Sequence, residues 1–127
     1  YKPMVSMDFF PTLLDLAGFP LQPKLHIDGR SLVSQLKGDD SGTRTFYWHY
    51  PHYHGSAWKP GASIRDGDWK LIEFYHYKNF ELYNLAEDPL EKNNLANKSK
   101  KIYNELKAAL RLHYQRAGQV PWQRPVK

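Results

Sequence analysis

The sequence contains no cysteine, and this absence removes several classes of site at once. Without thiols the chain forms no disulfide, holds no thiolate-bound zinc and offers no cysteine nucleophile. It also lacks an uninterrupted apolar run of about 18 residues, the length that a membrane-spanning helix needs, and no charged-then-apolar leader opens it. Neither a glycine-rich phosphate loop of the Walker or Rossmann type nor the Gly-x-Ser-x-Gly elbow of an α/β-hydrolase is present.

Aromatic residues, by contrast, are abundant: they make up 15% of the 127 residues, with nine Tyr and four Trp. Together with a hydrophobic content of 41%, they supply enough apolar surface for the core of one domain. Nine Pro and eight Gly indicate short elements joined by many loops. The net charge of +5 favours anionic partners such as nucleic acid, acidic polysaccharide or a lipid surface, without selecting one of them. The first residue is Tyr1 rather than Met, which indicates a processed chain or a piece of a longer one.

Two stretches have the three-and-four spacing of apolar residues that is typical of a helix. "SMDFFPTLLDLAGF" predicts a short helix over residues 9–17, with Asp8 as its N-cap and Gly18 as its left-handed exit. Because this helix is apolar on more than one side, we expect it to be buried against something. The second helix is predicted to run from its cap at Ser99 to about Ala117. Its apolar stripe consists of Ile102, Leu106, Ala109, Leu110 and His113.

Other stretches have the β-branched and aromatic composition of strands. "RTFYWHY" predicts a strand over residues 44–50. Asp66-Gly67 predicts a type I′ hairpin that joins strands at 62–65 and 68–76, the second of them central in its sheet. "ELYNL" predicts a last strand at 81–85. The sequence therefore predicts an α+β fold, an antiparallel meander of about four strands packed by a long C-terminal helix, with a short N-terminal helix.

The densest group of candidate functional residues lies in "WHYPHYHG", which contains His49, His52 and His54. Zinc binds histidines at such spacings, and His76 or a carboxylate would complete its ligands. The same imidazoles would equally serve in a loop that contacts a ligand, or would pack among the aromatic side chains. Ser, His and Asp all occur in the chain, but no pattern selects a hydrolytic triad.

Two further groups have simpler explanations. Asp39-Asp40 resembles a carboxylate pair for a metal, but the neighbouring Gly and Ser residues indicate a solvated turn. Basic residues also alternate with aromatic ones, which would suit a stacking surface for single-stranded nucleic acid or for sugar rings. In a meander the same alternation places aromatic side chains on the core face and charges in water. The residues concerned are Trp58, Lys59, Arg65, Trp69, Lys70, Tyr75, Tyr77 and Lys78.

Four stretches, in the order in which they occur, resemble the C-terminal end of the sulfatase family, within the arylsulfatase and alkaline-phosphatase-like superfamily. "SMDFFPTLLDLAG" is similar to the family's S-x-D-hydrophobic-hydrophobic-P-T element, and "IDGRSLVSQLKG" to its D-G-x-S-L-x-x-x-L-x-G segment. "SIRDGDWKLI" resembles its R-x-G-x-x-K-L hairpin, and "ELYNLAEDPLEKNNLA" its L-Y-x-L-x-x-D-P-x-E-x-x-N-L-A stretch. Together the four motifs cover nearly the whole chain.

The resemblance implies a sulfuric ester hydrolase whose reacting groups lie elsewhere. Sulfatases use a formylglycine, made from Cys or Ser in a C/S-x-P-x-R motif, beside a calcium ion in a large N-terminal domain. This chain has neither Cys nor such a Ser, so we expect no catalytic and no metal-binding residue in it, and no activity of the chain alone. Formylglycine and calcium are expected in the missing catalytic domain. In the family the smaller C-terminal subdomain, a sheet packed by a helix, closes one side of the catalytic cleft.

The resemblance also implies an organisation and a set of partners. Residues 1–127 are expected to form a single subdomain, in which 1–44 pack on the catalytic domain and 45–127 form the sheet and the C-terminal helix. Without that domain, the apolar helix at 9–17 would form a dimer. The expected partner is a sulfated carbohydrate or another sulfate ester, and neither nucleic acid nor a membrane is expected. Family members are mostly exported, so the expected location is periplasmic or extracellular, or lysosomal in a eukaryote.

The candidate substrate-binding residues rest on local chemistry rather than on the family motifs. His49, His52 and His54 offer hydrogen bonds to sugar hydroxyls or to sulfate, and Trp58 offers an aromatic platform. Arg65 is the arginine of the hairpin motif, and it would either hold an acidic side chain or touch the substrate.

Asp88 and Glu91 are expected to brace the loop before the last helix. Two rival functions remain open at this point. One is a stand-alone binding module for acidic polysaccharide or single-stranded nucleic acid. The other is a zinc-dependent hydrolase built on the histidine cluster.

Overall fold

The computed structural model describes residues 2–39, 42–55, 59–76 and 79–116 of the chain, which divides into two compact units, Tyr1–Gly42 and Thr43–Lys127. The first unit contains a 3₁₀ turn at Ser6–Asp8 and helices α1, Phe9–Leu16, and α2, Val33–Leu36. The second contains strands β1, Thr45–Tyr50, β2, Gly61–Asp66, β3, Trp69–Phe74, and β4, Asn79–Asn84, followed by helix α3, Lys100–Arg116. The predicted α+β class, with its four-stranded antiparallel sheet and long C-terminal helix, is confirmed.

Helix α1 begins where the sequence predicts, but the side chain of Asp8 does not cap it. The fully buried carboxylate of Asp8 instead accepts hydrogen bonds from the backbone amides of Val5 and Arg30, each at 3.0 Å. This part of the prediction is wrong because a distant backbone amide, which no local pattern reveals, competes for the carboxylate. The left-handed exit is confirmed, since Gly18 has a φ of 73°.

Thr12 joins α1 to the segment that precedes α2. Its hydroxyl donates a hydrogen bond to the carbonyl of Asp8 at 2.6 Å and accepts one from the amide of Leu32 at 3.0 Å. Gly29 approaches so closely that a Cβ at this position would lie 2.1 Å from the carbonyl oxygen of Met7. The segment 29–32 therefore docks on the N-terminal end of α1 through buried polar contacts and a position that requires glycine.

The outer surface of the first unit is strongly apolar. Of the residues of α1, only Pro11 and Thr12 are buried. The expected burial of this helix is thus not provided by the part of the chain that the structure describes. The large apolar side chains that are 44–83% exposed in this unit are Met4, Met7, Phe9, Phe10, Leu13, Leu16, Phe19, Leu21, Leu25, Ile27 and Leu36.

The four strands lie in the order β1-β2-β3-β4, so that β3 is central, as predicted. Asp66 pairs with Trp69, and the hairpin loop therefore consists of Gly67-Asp68. Of the two loop residues, Gly67 has a positive φ, 56°, and Asp68 does not. This is the arrangement of a type II′ turn. The predicted type I′ turn is wrong by one residue, because burial of one face fixes the register of the strands and hence the position of the loop.

Helix α3 covers one face of the sheet. Ile64, Leu71 and Leu82 lie opposite one another on three neighbouring strands and are fully buried. Leu106 and Leu110 of α3 pack against them, which confirms the predicted apolar stripe of the helix. The predicted end of this helix at Ala117 falls outside the described residues.

The loop between β4 and α3 is held by side chains that the sequence motif contains. The carboxylate of Asp88 accepts a hydrogen bond from the amide of Asn93 at 2.7 Å, and this bond lowers the pKa of Asp88. Glu91 forms an ion pair with Lys70 of β3 at 2.7 Å. Asn94 accepts a hydrogen bond from the backbone of β4. The predicted bracing role of Asp88 and Glu91 is confirmed.

Candidate functional site

Strand β1 contains the first predicted site residue, and its alternation divides its side chains between two faces of the sheet. Tyr47 and His49 lie on the face that α3 covers, since both rings contact aromatic side chains of that helix. Phe46, Trp48 and Tyr50 lie on the opposite face. Trp48 and Tyr50 are 44% and 42% exposed, whereas Phe46 is buried.

His49 lies in a cluster of aromatic rings near the last turns of α3. Its ring centroid is 5.7 Å from that of Tyr75 and 5.4 Å from that of Tyr114. The hydroxyl of Tyr75 donates a hydrogen bond to that of Tyr114 at 3.1 Å. Beside this pair, Tyr47 and His113 stack with parallel rings at 3.9 Å. Strand β1 and helix α3 are thus joined by ring contacts in which two imidazoles take part.

The surroundings of His49 favour its neutral form. Partial burial lowers the pKa of His49 below its ordinary value of 6.5, and the neighbouring His52 and His113 lower it further. Burial also raises the pKa of Tyr75 to about 12 and raises that of Tyr114, so both phenols keep their protons. The imidazole of His49, in its neutral form, has one donor and one acceptor nitrogen.

His52 and His54 lie in the loop that follows β1, and both are exposed. Their rings meet the ring of Tyr50 edge-on, with centroids 5.5 Å and 6.5 Å away. Tyr53, between them, pairs its hydroxyl with Nδ1 of His76 at 3.3 Å, which ties this loop to the end of the β2–β3 hairpin. The two loop histidines are thus positioned around one tyrosine.

The described residues do not support a metal centre. They contain no group of three or more His, Asp or Glu side chains placed to hold a metal ion. The formylglycine precursor that the resemblance implies, a Cys or a Ser in an S-x-P-x-R motif, does not occur in this chain. Asp40 of the Asp39-Asp40 pair lies outside the described residues, as do Trp58, Tyr77 and Lys78. In the same described ranges no helix is both long and apolar enough to cross a membrane.

Arg65 lies on β2, on the face opposite His49, so these two predicted site residues do not share one site. Its Nε donates a hydrogen bond to the carbonyl of Gly67 at 3.1 Å. Trp48 lies two strand positions away on the neighbouring strand. Together they line a pocket of about 200 Å³, whose walls are Trp48, Ser63, Arg65, Lys70, Leu85 and Glu91.

Trp48 and Tyr114 belong to these two places, although no sequence motif predicted it. Trp48 was counted only as a strand residue, although the two-residue period of a strand separates it from His49 and exposes it. Tyr114 follows His113, the last residue of the predicted helical stripe. Its contact with Tyr75 depends on the crossing of helix and sheet, for which the sequence contains no signal.

Comparisons with known proteins identify the family to which the chain belongs. A family described as "N-sulphoglucosamine sulphohydrolase, C-terminal" matches residues 2–117. The chain belongs to this family of sulfatase C-terminal domains. The resemblance stated from the four motifs is therefore confirmed.

The related sulfatases are much longer than this chain. A sulfatase of Formosa agariphila is 38% identical over 101 residues, which cover 71% of this chain and 18% of the relative. Arylsulfatase K of Mus musculus is 32% identical over 113 residues, 83% of this chain and 20% of its own length. A solved structure in complex with its substrate, D-glucosamine-2-N,6-O-disulfate, aligns with a TM-score of 0.72 and 31% identity, over 93% of this chain and 25% of that one. The chain thus spans about one fifth of the curated relatives it matches.

Proposed function

We propose that this chain is the C-terminal domain of a sulfatase, that it forms one wall of the substrate cleft, and that the catalytic centre lies in polypeptide outside these residues. The observation that carries the proposal is the family match over residues 2–117, combined with relatives of which the chain covers about one fifth. The absence of Cys and of a Ser in S-x-P-x-R supports it, because formylglycine has no precursor here. Formylglycine and calcium belong to the catalytic domain, for which the greater length of the relatives leaves room.

The substrate class follows from the relatives. One of them is an N-acetylglucosamine-6-O-sulfatase of Bacteroides thetaiotaomicron, 34% identical over 101 residues, and the solved structure named above holds a sulfated glucosamine. We assign a sulfated carbohydrate to the intact enzyme on this basis. A location in the periplasm, outside the cell or in a lysosome agrees with such substrates and is part of the proposal.

Within the wall, the loop after β1 contacts the substrate. His52 and His54 are exposed and offer hydrogen bonds to hydroxyl or sulfate oxygens. His49 lies at the base of the loop, where its neutral imidazole is suited to accept or donate one hydrogen bond. Trp58, in the same loop, remains the proposed aromatic platform.

The first unit supplies the contact with the catalytic domain. Its exposed apolar side chains, Phe9, Leu13 and Leu16 among them, form the apolar patch of this unit, and exposed apolar patches mark interaction surfaces. We assign this patch to the interface with the catalytic domain in the longer enzyme. When the chain is produced alone, the same patch leads to self-association.

The test compares the chain with its own upstream extension. Sequencing the coding region upstream of Tyr1 should reveal a C/S-x-P-x-R motif, and the extended protein should release sulfate from a sulfated glucosamine. In that enzyme, His52→Ala and His54→Ala should raise KM for the sulfated substrate, whereas Lys101→Ala on the outer side of α3 should not. Sulfate release by the 127-residue chain itself would refute the proposal.

A further inference from the structure

The pocket on the sheet face opposite α3 is separate from the histidine loop. It extends from Trp48 and Ser63, which pair across β1 and β2, towards the β2–β3 hairpin. The histidine loop leaves the sheet at the other end, after Tyr50, which pairs with Gly61. A ligand unit in this pocket would therefore be distinct from one held by the loop.

The pocket carries one positive charge that is not compensated locally. Lys70 pairs with Glu91 at 2.7 Å, so these two charges offset each other. Arg65 makes one hydrogen bond, from Nε to the carbonyl of Gly67, and no ion pair with any described residue. Guanidinium has five N–H donors in a planar fork that matches sulfate or carboxylate oxygens. An oxyanion is the group that this half-buried arginine is best suited to bind.

The opposite wall of the pocket is a supported aromatic surface. The indole of Trp48 is 44% exposed, while the ring of Phe46 beside it is buried and nearly parallel, with an angle of 19° and centroids 5.9 Å apart. The buried ring of Phe46 restrains the indole of Trp48. The indole therefore presents its flat face to a ligand at low cost in side-chain entropy. Ser63 of β2, which pairs with Trp48 of β1, adds a hydroxyl to the floor of the pocket.

We propose that this pocket binds one anionic sugar unit, with its ring against Trp48 and its sulfate or carboxylate group at Arg65. The volume of about 200 Å³ is smaller than the pockets that hold whole drug-sized molecules, and it suits a single ring. The choice of a sugar rests on the proposed function, whereas the oxyanion and the flat face follow from the pocket itself. Such a unit would be a part of a longer saccharide, away from the group that is hydrolysed.

Single-stranded nucleic acid fits the pocket less well. Binding of that kind uses a groove with several cations that follows the phosphate backbone, together with successive stacked bases. Here one uncompensated arginine and one exposed indole lie side by side. The basic and aromatic residues do not form one surface, because Trp69 packs on the core under α3, as expected for their alternation in a meander.

The experiment measures binding of a heparin-derived tetrasaccharide to the 127-residue chain at low salt, by nuclear magnetic resonance titration with assigned backbone and indole signals. We expect the indole signal of Trp48 to shift. Arg65→Gln and Trp48→Ala should each weaken binding about tenfold or more. Lys101→Gln, which removes one charge from the outer side of α3, is the matched control and should change the affinity little. Trp48→Phe should weaken binding less than Trp48→Ala, and it replaces the alanine variant should that variant unfold.

Any one of the following results would overturn the proposal. The tetrasaccharide fails to bind, Arg65→Gln and Lys101→Gln weaken it equally, or a single-stranded oligonucleotide shifts the same signals with greater affinity. A fully desulfated tetrasaccharide should lose most of the binding, and retained affinity for it would contradict the role of Arg65. None of these results depends on sulfate release by the extended enzyme, so the two proposals fail independently.

Discussion

At the scale of single residues, the motifs of the first unit have a physical meaning that their letters do not state. Asp8 and Thr12 belong to one motif, and Gly29 belongs to the next. In the structure the two polar side chains satisfy buried backbone groups of the second motif, at Arg30 and Leu32. A buried amide without an acceptor costs free energy, so these residue types are required by backbone hydrogen bonding rather than by chemistry on a substrate.

Thr12→Val tests this interpretation with a side chain of nearly the same shape. The variant leaves the amide of Leu32 without its acceptor, which should cost about 1–3 kcal/mol of local stability. Amide hydrogen exchange at Leu32 should accelerate accordingly. Thr45→Val is the matched control, because the hydroxyl of Thr45 bonds Asp66 at an exposed site, and it should cost about 0.5 kcal/mol or less. Unchanged protection at Leu32 in Thr12→Val would contradict the proposed link.

Gly29→Ala tests the close approach of the two segments. Its Cβ would lie 2.1 Å from a backbone oxygen of Met7, which cannot rotate away as a side-chain tip can. We expect a loss of about 1–3 kcal/mol in the free energy of unfolding. It would be measured as faster hydrogen exchange of the Arg30 amide, which donates a hydrogen bond to Asp8. Gly55→Ala, with nothing within 4 Å of the added carbon, should be nearly neutral. Equal effects of the two substitutions would show that the contact with Met7 is relieved at little cost.

At the scale of elements, the attachment of α3 to β1 depends on the uncharged imidazole of His49. The folded state lowers the pKa of His49 through burial, so the unfolded chain binds a proton at a higher pH than the folded chain does. The stability that this histidine contributes is therefore present above about pH 6.5 and is lost as the pH falls through the lower folded value.

His49→Gln should remove this contribution to the pH dependence. Between about pH 8 and about pH 5, the midpoint of thermal unfolding should fall more for the parent chain than for the variant. His54→Gln alters an exposed imidazole of the following loop and should keep the parent's pH dependence. If the parent and His49→Gln lose stability in parallel as the pH falls, the ring cluster does not control the attachment of α3.

The elements themselves were largely predictable. β1 and the start of α3 agree with their predicted positions to within a residue or two, because their hydrophobic periods extend over many positions. The hairpin turn was shifted by one residue, since the register is fixed by which side chains face α3 rather than by the preference of Asp66-Gly67. Likewise, Asp8 looked like a helix cap because its competing partner, Arg30, is far away in the sequence.

The candidate site was less predictable than the fold. A period of two already places Trp48 and His49 on opposite faces, so the division of the site residues between two places could have been derived from the strand prediction. The ion pair of Lys70 with Glu91 could not, because it depends on how the loop after β4 returns to the sheet. That return includes Glu91 at a φ of 54°, a conformation in which glycine would be expected.

At the scale of the whole molecule, the two units differ in what they leave to solvent. The sheet and α3 bury a compact core that includes Leu71, Leu82 and Leu110. The first unit instead exposes most of its large apolar side chains, and α1 shows Phe9, Leu13 and Leu16 along one stripe. Exposure of such a stripe to water costs free energy. The gain from covering it is proportional to the apolar area removed from water.

The stripe on α1 is expected to make the isolated chain associate. Static light scattering should give a mass above that of the monomer, rising with protein concentration, and Leu13→Glu should return the chain to a monomer because a buried unpaired carboxylate is costly. Leu90→Glu is the matched control, since Leu90 is 71% exposed but belongs to the loop before α3 and not to this stripe. It should leave the mass unchanged. A chain that stays monomeric at all concentrations would show that α1 is not a contact surface. Equal effects of Leu13→Glu and Leu90→Glu would show the same. Either result would remove the main structural support for a catalytic domain packed on α1.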